Sequence, residues 1–185
     1  MRQTFDETTD PSFGPRHVPL IRQAMERQGL DGFLVPHEDE HQNEYLPEAN
    51  DRLAWATGFT GSAGAAVIFK DKAAVFVDGR YTLQVRDQVD PNLFEVRDLV
   101  DGGVPAYLEQ APKGAVIGYD PRLHSPDALH WLRTAAERAG ATLKPVQPNP
   151  LDEAWGDKRP AQPAAPVVPH PIEYAGEESH AKRTR

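Results

Sequence analysis

No cysteine occurs among the 185 residues, which excludes disulfides, thiolate metal sites and a cysteine nucleophile within the chain. Long apolar runs are missing too, since none approaches the ~20 residues of a membrane span. The N-terminus, MRQTFDETTDPSFGPR, lacks the apolar core of a secretory signal. Positive charge is in short supply, with 20 Lys and Arg against 28 Asp and Glu and a net charge of −8. Nucleic acid is therefore not an expected partner, because phosphate binding needs clustered cations. These absences lead us to expect a cytoplasmic protein that neither enters a membrane nor binds nucleic acid.

Proline is plentiful instead, with 18 in the chain and eight of them in the 27 residues from Pro145 to Pro171. Such density opposes both helix and central strand, so residues 148–171 are expected to form an extended, semi-rigid linker. Trp155, a lone aromatic in that strap, is expected to dock on the domain surface. The hydrophobic content of 39% is lowish because this tail dilutes one ordinary domain. We expect a flexible arm over residues 1–14, a folded domain over 15–147, and over 172–185 the start of a second domain that is cut off.

The domain is organised around GFTGSAGAAVIFKDKAAVFVDGRY, residues 58–81. Ala65 to Phe69 and Ala73 to Val77 are apolar runs joined by Lys70-Asp71-Lys72, a turn short enough for a hairpin. Runs that are apolar throughout suggest a sheet covered on both faces. Asp78 is placed to cap a following helix, on which Tyr81, Val85 and Val89 share a face. Upstream, Val18, Ile21 and Met25 recur at helical spacing up to Gly29, and residues 32–35 read as a buried strand. Arg52 to Ala56 suggest one or two helical turns. Downstream come a strand from Phe94, a short helix from Val104 to Gln110 and a strand from Ala115 to Tyr119. The clearest helix follows, with Ser125 as N-cap, Pro126 in the first turn and Gly140 as its stop, then a strand from Thr142 to Val146. The alternation predicts an α/β fold, a mixed β-sheet flanked by helices.

Few residues announce chemistry. His37-Glu38-Asp39-Glu40-His41 fits HExxH, but a zinc peptidase needs that motif on a helix with apolar flanks. Here Pro36 and a strand precede it, and a solvated acidic loop is the better reading. The glycines at 58, 61 and 64 match neither GxGxxG nor a P-loop, and Ser62 lacks the GxSxG frame, so they are read as sites of close backbone approach. Five further histidines, His17, His124, His130, His170 and His180, stand singly with no ligand spacing. Arg80 is different: in the first turn of a helix a cation is mildly disfavoured by the dipole. A residue set against local preference points to a partner, the alternative being an ion pair with Asp78.

The ordered series His41-Gln42-Asn43-Glu44-Tyr45, Arg52, Gly58-Phe59-Thr60-Gly61-Ser62-Ala63-Gly64 and Asp78-Gly79-Arg80-Tyr81 resembles the N-terminal domain of aminopeptidase P, the long three-domain Xaa-Pro aminopeptidases. The likeness continues through Gln84, Gln88, residues 118–121 and Trp155-Gly156-Asp157-Lys158-Arg159-Pro160. It implies a creatinase/prolidase-type N-terminal fold with a ribonuclease-H-like core. It also implies a parent enzyme that removes the residue preceding a proline, using two Mn²⁺ ions in a C-terminal domain. No catalytic or metal-binding residue carries over to this chain, which alone is expected to be inactive and to need no cofactor. One substrate-binding residue does carry over, Arg80, by its match to the arginine of Asp-Gly-Arg-Tyr. The implied partners are a proline-containing peptide, the catalytic domain of the same parent and, in an oligomer, further copies. Two alternatives stand beside this: a stand-alone peptide- or partner-binding module, and the N-terminal domain of a creatinase-like non-peptidase. A self-contained zinc peptidase using His37, Glu38 and His41 is the least favoured.

Overall fold

In the computed structural model, which describes residues 8–185, a six-stranded sheet runs through the centre of the domain. Its strands are β1 (Gly32–Pro36), β2 (Gly64–Phe69), β3 (Ala73–Val77), β4 (Phe94–Asp98), β5 (Val116–Tyr119) and β6 (Thr142–Pro145). They lie in the order β4-β3-β2-β1-β5-β6. β2 pairs antiparallel with both β1 and β3, while the β3–β4, β1–β5 and β5–β6 pairs are parallel. The sheet is therefore mixed, as expected. All five residues of β1 and of β3 are buried, because side chains leave alternate faces and both faces are covered.

Two helical layers cover those faces. On one lie α1 (Phe13–Arg27), α2 (Arg52–Thr57), α3 (Gln84–Gln88) and α6 (Pro150–Trp155), packed on Phe33, Val35, Ile68 and Val75. On the other lie α4 (Gly103–Leu108) and α5 (Pro126–Arg138), packed on Leu34, Val67, Phe76 and Ile117. Helix α5 has the predicted start: the Ser125 hydroxyl accepts from Ala128 N at 3.2 Å, and Pro126 takes the first helical position. Gly140 ends it at φ +72°.

Three expectations need correction. The expected arm falls partly on residues 1–7, outside the described residues, but Phe13 and Gly14 already belong to α1. The expected linker does not begin at 148. Asn149 caps α6 and Pro150 sits in its first turn, a position where the missing N–H of proline costs nothing. Leu151 and Trp155 then join the core, with Trp155 stacked 5.0 Å from Trp55, which stacks on His17 at 4.1 Å. Only residues 160–171 lack regular structure. Beyond them α7 (Ile172–Ala175) and α8 (Ser179–Thr184) bury no residue. Finally, the turn after β3 is longer than predicted. Helix α3 starts at Gln84, so Asp78 caps no helix, and Tyr81 precedes the helix that carries Val85.

Candidate functional site

The loops gather at one end of the central strands. Because β2 is antiparallel, its start lies beside the ends of β1 and β3: Gly64 is registered with Val77, and Ala65 with both Pro36 and Phe76. Residues 37–47, 58–63 and 78–83 therefore meet, although they lie up to 46 positions apart in the chain. Glycine makes the meeting possible. A Cβ on Gly64 would lie 2.9 Å from Phe76 O, and one on Gly58, at φ +91°, would lie 2.5 Å from Gln88 O. This is the close approach predicted for these glycines.

The 37–47 loop is built around a buried carboxylate. Asp39 is 1% exposed and accepts from His41 N at 2.9 Å, Asn43 N at 3.1 Å and Asn43 Nδ2 at 2.9 Å. Burial pushes its carboxyl up, but these donors outweigh that and hold it below the usual carboxylate range. His37 is buried as well, and its Nε2 donates to the Glu44 carbonyl at 3.0 Å. The reading of this stretch as a solvated acidic loop is therefore wrong at His37 and Asp39. Residues 37–43 form no helix, so His37, Glu38 and His41 do not take the one-faced arrangement that HExxH chemistry requires. Among the described residues, no three His, Cys, Asp or Glu side chains are grouped to hold a metal ion. Ligands for the implied manganese pair are not found there.

Hydroxyls tie the other two loops to this one. Ser62 Oγ donates to Glu44 Oε1 at 3.1 Å and lies 2.8 Å from Tyr81 Oη, which then donates to it. Thr60 N donates to Gln88 Oε1 at 3.1 Å, and Gln88 Nε2 returns a bond to Thr60 Oγ1 at 2.9 Å. Phe59 packs edge-on against Tyr81. A cleft of about 450 Å³ opens between the three loops, with His37, Glu44, Tyr45, Ser62, Arg80 and Tyr81 on its walls.

Arg80 stands at that cleft, 59% exposed. Asp78 holds it like a fork: Oδ1 accepts from the Arg80 backbone N at 2.9 Å, and Oδ2 accepts from Nη2 at 2.7 Å. The guanidinium carbon sits 5.0 Å from the Tyr81 ring centre. Hydrogen bonds from Arg80 hold the Asp78 carboxyl below its ordinary value. The helix-dipole argument for Arg80 fails, because α3 begins four residues later. The ion pair with Asp78, the alternative to a partner, is present. It occupies Nε and Nη2 and leaves Nη1 without a partner among the described residues. Sequence reasoning missed Asp39, whose signal is a carboxylate two and four residues before the backbone groups it binds, and it missed Asp152, described below.

A mixed sheet between two helical layers, with loops gathered at one end of its central strands, defines a creatinase-type α/β domain. The profile of the Creatinase/Prolidase N-terminal domain matches residues 18–153, and the chain belongs to that family. Its relatives include proteins described as probable Xaa-Pro aminopeptidase P from Talaromyces marneffei, 40% identical over 92% of this chain, and from Arthroderma otae, 36% identical over 95%. The chain spans 26% and 29% of their lengths. Among solved structures, the X-prolyl aminopeptidase of Caenorhabditis elegans, described as a cytosolic enzyme with a di-nuclear active site, superposes with a TM-score of 0.78. That alignment has 26% identity and covers 91% of this chain and 30% of that one. The N-terminal domain of the peptidase PepQ from Mycobacterium tuberculosis shares the fold, with a TM-score of 0.59 at 23% identity over 75% of this chain and 98% of that one.

Proposed function

We propose that this chain is the non-catalytic N-terminal domain of a manganese-dependent, cytoplasmic Xaa-Pro aminopeptidase, and that Arg80 contacts its peptide substrate. Likeness to aminopeptidase P relatives over 90% or more of the chain supports the parent enzyme. The single observation that carries the role of Arg80 is its placement. An exposed guanidinium is oriented by Asp78 and Tyr81 at the cleft between three loops, with Nη1 unengaged among the described residues. Guanidinium N–H groups in fixed orientation suit a peptide carbonyl or carboxylate. Chain residues would orient the peptide, and the metal-dependent attack on the scissile carbonyl would belong to the catalytic domain.

The test uses the full-length parent with an Xaa-Pro-Pro tripeptide and Mn²⁺. Arg80→Ala is expected to raise KM about tenfold, the worth of one charge-assisted hydrogen bond, while Arg80→Lys recovers part of the loss. Unchanged kinetics in Arg80→Ala would remove the arginine from the substrate site. Hydrolysis by the 185-residue chain alone would overturn the non-catalytic assignment.

A further inference from the structure

A second cavity, of about 550 Å³, lies beside the Arg80 cleft and shares His37, Glu44 and Ser62 with it. Its volume falls within the range of small-molecule sites. Leu34, Leu99, Val104, Ala128, Trp131 and Leu132 supply apolar walls from β1, the loop after β4, α4 and α5. Trp131, on the cavity wall, is 64% exposed. Exposing an indole and these aliphatic groups to water is unfavourable unless something covers them.

The polar side of the cavity is peculiar in sign. Among the described residues, no lysine or arginine lines it. His37 is 9% exposed and spends its Nε2 proton on the Glu44 carbonyl. In the neutral ring that bond makes Nδ1 an acceptor, and Nδ1 is buried with no partner among the described residues. His124 Nε2 is also buried with no partner among the described residues. Glu38 is half-buried and makes no hydrogen bond or ion pair with any described residue, and burial raises its carboxyl above the ordinary range. A carboxylate held out of bulk water without a donor is costly. Two imidazoles and a carboxylate thus line one largely apolar cavity, and the nearby amides and hydroxyl of Gln42, Asn43 and Ser62 donate to Asp39 and Glu44 instead of to them.

We infer that this cavity is a binding site for an ammonium group carried on a compact apolar body, with Glu38 as the counter-charge, His37 Nδ1 and, in the tautomer that carries its proton on Nδ1, His124 Nε2 as acceptors, and Trp131 and Leu132 packing the apolar part. An ammonium offers three donors and a positive charge to a wall of acceptors that has no cation of its own. An anion would meet Glu38 and Glu44 unfavourably, and a neutral apolar molecule would leave the acceptors unpaired. This inference goes beyond the peptidase reading and does not rest on it.

The 185-residue chain would be titrated with 2-phenylethylamine, with its N-acetyl derivative and with 3-phenylpropionate. These probes share one apolar body and differ in charge. Trp131 fluorescence, assigned by comparison with Trp131→Phe, and backbone NMR shifts read binding. The amine is expected to saturate, with the acetylated probe about tenfold weaker or worse and the carboxylate not binding. Glu38→Gln should weaken the amine about tenfold. Ala128 is exposed at the mouth, so Ala128→Trp should block entry without disturbing the core, and it decides the matter if Glu38→Gln misfolds. Equal affinity for the amine and its acetyl derivative would overturn the inference. So would failure of the amine to saturate the folded protein, or full binding by Ala128→Trp.

Discussion

His124 shows how much one buried ring can do. Burial lowers its pKa from 6.5 to about 4, against a small upward pull from Asp120. The folded chain keeps it neutral, whereas the unfolded chain protonates it as pH falls through 6.5. The stability it permits is therefore complete above pH 6.5 and is lost progressively towards pH 4, by on the order of 3 kcal/mol. Glu38 and Asp51 work the other way. Burial raises both, so their cost to the fold appears as pH rises above the ordinary carboxylate range. Comparing wild type with His124→Phe isolates the imidazole, and the ring contact to Tyr119 is kept. Thermal melts at pH 7 and pH 4.5 should show a smaller acid-induced drop in the variant. Parallel drops would contradict the assignment.

At the scale of elements, α6 is a fastener where a linker was expected. Asp152 projects from it to Arg52 of α2, which is 3% exposed, with bonds of 2.7 and 3.0 Å. The same carboxylate takes Arg159 at 2.7 Å. Arg159 also donates to Ala49 O at 2.7 Å, and Gln162 donates to Asn50 at 2.7 Å. Two guanidinium groups therefore depend on one carboxylate. Asp152→Ala strands a buried charge on Arg52 and should cost about 3 kcal/mol in urea unfolding. Arg27→Ala, which loses only the surface contact to Glu153, should cost less than about 1 kcal/mol. Equal costs would show that the buried node contributes nothing special.

For the whole molecule, the clamp marks where the folded body ends. Gln162 is the last residue seen to bond to it, and residues 163–170 are exposed and without regular structure. Limited proteolysis should cut there first. The fragment ending near residue 162 should melt at the same temperature as the intact chain. A chain stopped at residue 147 would lose α6 with Leu151 and Trp155, and it should be far less stable or fail to fold. A first cut within residues 148–158 would instead favour the linker expected from proline density.

Local patterns sufficed for most of the fold. β2 and β3 were legible as unbroken apolar runs, and α5 as a capped amphipathic helix, because each depends on residues within a few positions of one another. The ordered motifs that signal the creatinase-type domain could likewise be read along the chain. Other features needed the folded structure. Pro150 looked like a linker proline until its place in the first turn of α6 was seen, and the worth of Trp155 lies in Trp55, 100 positions away. Nothing around Asp152 in the sequence points to Arg52, its partner 100 positions away. The cavity of His37, Glu38 and His124 joins residues up to 87 positions apart. Sequence by itself determined most of the elements and the family. Only tertiary structure decided which polar groups are buried and what they face, because desolvation and pairing depend on neighbours that chain order does not specify.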